Sequence, residues 1–404
     1  MTHRAEEVPR TVGAVPTPGP SARPGNRTPV RGRTVVLTGA LLLGAALTGC
    51  ADGGAAPVEA TPRPSAPATA GDGRARTSEG MLLVTDFGAD TVTFLDPSEP
   101  DGGPGRSSVE VGTAPYGIAL ADDGTAWVAT AEGVAAVDTA TRERTALIPY
   151  ETGTGPVTTG EYRGGGMGIA LSPDGKQVYV GVNVPGGNGT LEVVDTGERR
   201  VVAAVPVGRR PFDVDVSHDG RQVYTTGHDS FDVTVVDAGT WRSRRIEVAP
   251  YGTEGGAGSW LKPHYTAVRP SDGALLLPFE GERLAVVDPG TGRVGIERMT
   301  ADTHQHGAAV TEDGTLYVVG TGPIDPAEDE GPSLTVRSPG GQERVIPLDG
   351  PHEDVAVSAD GRTAYVSGGF TRDGYGNGIS VVDVASGEVR RVAAGERPLG
   401  IAVL

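Results

Sequence analysis

From Met81 onward the chain repeats one pattern of apolar and polar positions. A short apolar stretch is followed by an Asp-Gly pair. A second stretch rich in Val and Tyr comes next, then a third that typically ends in Val-Val-Asp, then a fourth and weaker one. Apolar alternation punctuated by Gly, Pro and Asp reads as β-strands joined by tight turns. Asp tolerates left-handed turn geometry and Gly adopts it freely, so each Asp-Gly is a hairpin signal with a physical cause.

The copies can be counted. First strands are expected to begin at Tyr116, Met167, Phe212, His264, His306, Glu353 and Leu399. The turns after the first six are Asp123-Gly124, Asp174-Gly175, Asp219-Gly220, Asp272-Gly273, Asp313-Gly314 and Asp360-Gly361. Third strands end at Asp96, Asp138, Asp195, Asp237, Asp288, Ser338 and Asp383, with Ser338 as the departure. A period of roughly 42 to 52 residues fits four-stranded propeller blades. The pattern opens on a second strand, Met81 to Phe87, and closes on a first strand, Leu399 to Leu404. The expected fold is therefore all-β: a seven-bladed β-propeller over residues 81–404. Its C-terminal strand joins the three N-terminal strands and leaves no open edge.

Gly168-Ile169-Ala170-Leu171-Ser172-Pro173-Asp174-Gly175, followed by Val178-Tyr179-Val180, resembles the repeat of YVTN/YncE-type seven-bladed propellers of bacterial surface and periplasmic proteins. The resemblance covers residues 81–404. It implies the fold and is almost silent on function, because propellers host binders, scaffolds and enzymes alike.

The N-terminal region has a different character. Arg31 and Arg33 precede an apolar run from Val35 to Leu47, which is shorter than the roughly 20 residues a membrane span needs. A basic flank, a short apolar core and small residues at its end describe a secretory signal. Leu47-Thr48-Gly49-Cys50 resembles the lipobox of bacterial lipoproteins, and Cys50 is the only cysteine. The resemblance implies a signal peptide over 1–49, with Cys50 as the diacylated first residue of the mature protein. Two acyl chains anchor stably where one is marginal. Residues 50–80 are rich in Ala, Pro, Gly and Thr and are expected to be a disordered tether. The expected location is the extracytoplasmic face of the cell membrane, as a lipid-anchored monomer.

Charge narrows the function classes. The whole chain has a formal net charge of −18. Residues 1–49 hold six Arg and two Glu, so the remainder carries 28 basic and 50 acidic residues, a net charge of −22. Nucleic-acid binding by phosphate neutralisation is excluded on this balance. There is no Gly-x-Ser-x-Gly elbow, His-Glu-x-x-His pair, phosphate loop or cysteine nucleophile in the propeller region. No catalytic residue is assigned.

The histidines are the informative residues. There are seven, and His3 lies in the signal. His218 falls in an Asp-Gly turn at the bottom of the ring. The other five are expected at the top, where first strands begin. His264 and His306 open the channel strands of blades four and five, and His352 lies one residue before the equivalent point of blade six. His304 is two before His306, and His228 lies in the loop between strands two and three of blade three. Three consecutive blades thus present imidazole at the channel mouth, which suits Zn²⁺ or another divalent transition metal. The expected ligands are His264, His306 and His352, with His304 as fourth or alternate. Glu353, Asp354 and Asp302 are candidate acidic partners. Two other readings stay open: histidines that simply pack and hydrogen-bond at a crowded mouth, and acid/base catalysis.

Two narrower resemblances follow from these residues. Channel-mouth histidines on blade-starting strands resemble secreted zinc chaperones of the AztD type, with His264, His306 and His352, and His304 as an alternate, at the matching positions. That resemblance implies metal capture or delivery and a metal-transporter binding protein as partner; residues 51–79 depart from it in containing no histidine. His304-Gln305-His306 and Asp86-Phe87-Gly88-Ala89-Asp90 resemble pieces of lactonase-type propellers, although here they fall in different blades. That resemblance implies a hydrolase using the same pocket. A third expectation is a scaffold for protein or cell-wall partners.

Overall fold

The computed structural model describes residues 80–248, 262–279, 283–301, 303–322, 330–371 and 374–404. The expected signal segment, Cys50, the expected tether up to residue 79, Asp302 and most of the acidic loop after Ile324 lie outside the described residues.

Seven four-stranded antiparallel sheets form the seven blades. Blade one is built from Ile118–Leu120, Thr125–Ala129, Gly133–Asp138 and Glu143–Pro149. Blades two to six follow in order along the chain. Blade six carries an added two-stranded ribbon, Phe370–Thr371 with Gly374–Tyr375, between its second and third strands. Blade seven is composite: Pro398–Val403 pairs with Leu82–Asp86, followed by Thr91–Leu95 and Ser107–Glu110. The closing register runs Leu82↔Val403, Leu83↔Ala402 and Val84↔Ile401. Two backbone bonds extend it, from the Gly80 amide to Leu404 O and from the Leu404 amide to Met81 O. Each first strand contacts the first strand of the next blade all the way round, so the ring is closed.

The hydrophobic pattern has a direct structural cause. Second and third strands are sandwiched between neighbouring blades and are buried on both faces, as in Leu275–Phe279 and Leu316–Gly320. Fourth strands lie at the rim and alternate, as in Arg200–Pro206. Seven apolar clusters fill the seven inter-blade spaces; Trp127, Ile148, Val178 and Val180, for example, join blades one and two. All six Asp-Gly turns form as expected. Their glycines have φ between 67° and 85°, and each Asp Oδ1 accepts the backbone N–H two residues on. Ser338 keeps the capping role of the aspartates that end other third strands, its Oγ accepting the Gln342 amide.

Adjacent first strands approach closely at the centre. The amides of Gly117, Gly307 and Gly400 donate to the carbonyls of Met167, Glu353 and Tyr116 on the next blade. A Cβ on Gly400 would stand 2.6 Å from Tyr116 O. Where the residue is Asp instead of Gly, its carboxylate bridges the gap. Asp213 Oδ2 accepts the Thr266 amide at 2.8 Å, and Asp354 accepts the Ile401 amide.

Candidate metal centre at the channel mouth

One position per blade builds the mouth of the channel. The inter-strand bonds just described place Glu353 where Met167 and Tyr116 stand on other blades. The full set is Tyr116, Met167, Phe212, His264, His306, Glu353 and Leu399. In blades two, three, five and seven a register shift falls at this point of the ladder. Such bulges re-aim a side chain, here toward the axis. Tyr116, Met167, Phe212 and Leu399 join Phe87 and Ala114 in an apolar plug. The remaining three positions are ionisable, so one arc of the mouth is greasy and the other carries imidazole and carboxyl.

The polar arc is tightly packed. The rings of His264 and His306 stack with centroids 4.0 Å apart, and His304 meets both edge-on. One nitrogen from each of His264, His304 and His306 lies within 4.8 Å of the other two. His304 and His306 share a side because alternate residues of an extended chain point the same way. Their Nε2 atoms are 3.3 Å apart. Ligands ~2.0–2.1 Å from a tetrahedral zinc ion stand about 3.3 Å from each other, so this spacing suits one ion between them. His306 Nδ1 is 3.1 Å from Glu353 Oε2, and the Tyr265 hydroxyl donates to Glu353 Oε1 at 3.2 Å. A carboxyl group behind a ligating imidazole holds the ring in its orientation.

Burial sets the electrostatics. Loss of hydration pushes the Glu353 carboxyl up to about 8, with the Tyr265 hydrogen bond opposing. It drives His264 well below the usual imidazole range, with the neighbouring His306 adding to the effect. His228 is pushed down to about 3, again mainly by burial. These two imidazoles are therefore neutral at ordinary pH, the form that binds metal.

His352 requires a correction. It is fully buried, but it does not join the cluster. Its Nδ1 lies 2.6 Å from Gly350 O and its Nε2 2.9 Å from Ser380 Oγ, so both ring nitrogens are engaged within the blade. The reason is phase: one residue before the mouth position, a strand residue faces the other way. Glu353 holds the place on the mouth that blade six offers. Asp354 bonds to the Val355 and Ile401 amides instead of the histidines. His218 is exposed in its turn, as expected.

The cluster has a member outside the expected ligand set. His228 is buried, and its Nε2 lies 3.1 Å from His264 Nε2. Phe212 packs parallel to its ring at 5.4 Å. Tyr265 and the Asp229 carboxyl beside His228 Nδ1 were equally absent from the sequence reading.

No protein-family model and no curated protein matches the chain. Among solved structures it is similar to hydrazine synthase of Kuenenia stuttgartiensis, at 18% identity and TM-score 0.57, over 71% of this chain and 88% of that one. It is similar to virginiamycin B lyase of Staphylococcus aureus, at 14% identity and TM-score 0.54, over the same shares of the two chains. A functionally unknown protein of Desulfotomaculum acetoxidans DSM 771 aligns at 12% identity and TM-score 0.60, over 80% of this chain and 98% of that one. At these identities the likeness establishes the propeller fold and leaves the chemistry to the site itself.

Proposed function

We propose that this protein binds a divalent transition metal, zinc foremost, at the channel mouth through His264, His304 and His306, and captures or delivers it outside the cell membrane. The observation that carries this reading is the convergence of three imidazole nitrogens within 4.8 Å on blades four and five. Three nitrogen ligands leave a position open for a further ligand or an exchanging group. The lipobox-like Leu47-Thr48-Gly49-Cys50 supports a lipid anchor, and the likeness to AztD-type chaperones suggests a transporter's binding protein as recipient. The acidic mature chain would raise the local concentration of cations.

Competitive titration of the purified protein with a zinc chelator tests this. His264→Ala, His304→Ala and His306→Ala should each weaken zinc binding at least tenfold. His352→Ala and His218→Ala should leave it unchanged, one because its nitrogens are engaged elsewhere and the other because it lies in a bottom turn. Equal affinity in all five variants and the wild type would remove the reading.

One observation favours a second reading, a lactonase-like hydrolase. Glu353, pushed up to about 8, sits between His306 and Tyr265. A carboxyl titrating near neutrality can exchange protons with a substrate. Lactone hydrolysis that is abolished in Glu353→Gln while zinc binding persists would favour it.

A further inference from the structure

We propose that His228 is the fourth ligand of the channel-mouth metal and that Asp229 is the residue that positions it. This assignment rests on the metal reading above and extends it to a third blade.

The argument starts from the loop. His228 follows the second strand of blade three, Gln222–Gly227. Its amide donates to Arg210 O at 3.0 Å, and the Asp229 amide donates to Arg209 O at 3.2 Å. These bonds tie the loop to the chain entering the first strand of the same blade. The imidazole is thereby carried under Phe212 and against His264. The side chain is only 4% exposed.

The tautomer follows from its neighbours. His228 Nδ1 lies 2.9 Å from Asp229 Oδ1. That carboxylate is bound by Arg210 at 2.8 Å and by Lys262 at 2.7 Å. Two cations in direct contact mark it as an ionised carboxylate. An ionised carboxylate can only accept. Facing a ring-nitrogen lone pair at 2.9 Å would be repulsive, whereas facing N–H is attractive. The proton therefore sits on Nδ1, although Arg210 Nη1 is also 3.2 Å from that atom. The lone pair is left on Nε2, the atom 3.1 Å from His264 Nε2. Two imidazole nitrogens at that spacing match an edge of a tetrahedral site, about 3.3 Å. A carboxyl group also stands behind His306, Glu353 Oε2 lying 3.1 Å from its Nδ1.

The proposed set adds His228, 3.1 Å from His264, to the three histidines whose nitrogens lie within 4.8 Å of one another, and so draws imidazoles from three adjacent blades with a carboxyl group behind two of them. Such a site suits zinc, copper, nickel or cobalt and does not suit calcium or magnesium, which take oxygen ligands.

Cobalt(II) added to the full-length metal-free protein tests the assignment, because its visible absorption reports coordination number. The wild type should bind one equivalent with the intense bands of a four-coordinate site. His228→Ala should bind at least tenfold more weakly and shift the positions of these bands, because a water replaces an imidazole in the four-coordinate set. Asp229→Ala should lower zinc affinity 10–100-fold, the range for removing a partner behind a ligand. Asp229→Asn, which keeps a carbonyl acceptor for Nδ1–H, should recover part of that loss. Circular dichroism of each variant would establish that the propeller is intact. If His264→Ala abolishes uptake while His228→Ala keeps the wild-type spectrum and affinity, the assignment is wrong and the three-histidine site stands. If the wild type takes up neither cobalt nor zinc, the metal reading falls and this assignment falls with it.

Discussion

At the scale of single residues, the centre of the ring concentrates carboxyl groups that burial holds protonated above their ordinary range. Loss of hydration raises Asp354 to about 8, with the nearby Asp213 contributing. It raises Asp213 and Asp86 each to about 6. A carboxyl whose folded-state pKa is raised contributes stability that is complete below its unfolded value near 4. That contribution is lost as pH rises through the folded value. The protein should therefore melt at a lower temperature at pH 8.5 than at pH 7, a window above the range in which the lowered buried histidines act in the opposite sense, with chelator present to remove metal. Asp354→Asn keeps an acceptor for the Ile401 amide and removes the titration, so it should flatten part of this slope. Thermal melts of both forms across that pH range check the point, and parallel profiles would contradict it. His352 has a different residue-scale role. His352→Ala leaves Ser380 Oγ without this partner in a buried position, which costs about 1–3 kcal/mol. It should lower the melting temperature while sparing metal affinity, the reverse of the pattern for His304→Ala at the half-buried edge of the cluster.

At the scale of strands and turns, much of the molecule was legible because each local signal has a local cause. The six Asp-Gly turns follow from side-chain-to-backbone bonds spanning two residues. The weak fourth strands follow from one-sided burial. The site was legible only where strand phase was. Proline directly precedes the mouth residue in Pro115-Tyr116, Pro211-Phe212, Pro263-His264 and Pro398-Leu399, but Pro351 precedes His352, one residue early. The Gly307 amide on Glu353 O and the Glu353 amide on Ser367 O put Glu353 at the mouth, where the strand count also placed it, and leave His352 one residue short. His228 was missed as a ligand because a loop residue has no phase to read; its position depends on bonds to Arg209 and Arg210. The glycines of the inner ring give an element-scale prediction. Gly117→Ala and Gly400→Ala would each place a methyl within 2.8 Å of a backbone oxygen on the next blade. Neither backbone can retreat without parting two blades, so each should cost roughly 1–3 kcal/mol. Gly175→Ala meets no atom within 4 Å and is disfavoured only by its φ of 67°. Chemical denaturation should rank it as milder than either.

At the scale of the whole ring, stability depends on a closure made by non-local contacts. The closing strand pairs residues more than 300 positions apart, and Thr85 Oγ1 reinforces the joint. It accepts the Gly400 amide at 2.8 Å and donates to Tyr116 O at 2.6 Å, linking blade seven to blade one. Ile401 is buried with Leu82, Val84 and Tyr365 in the space between blades six and seven. Deleting Gly400 to Leu404 would remove the partner of Leu82–Asp86, a strand buried at every residue. Burying Ile401 alone is worth roughly 1.5–3 kcal/mol. The deletion also exposes unpaired backbone and a flat apolar edge, which templates aggregation. It should therefore lower the melting temperature by many degrees and shift the protein toward higher oligomers. Truncating an ordinary surface tail would do neither. The channel-mouth site should fail with the ring, because Leu399 belongs to the apolar plug that backs Tyr116 and Phe212 against the histidines. Melting curves and size-exclusion profiles of the truncated and full-length proteins, each with and without zinc, test both halves of this argument. A truncation that melts like the full-length protein would mean that the other six blades hold the ring without the closing strand.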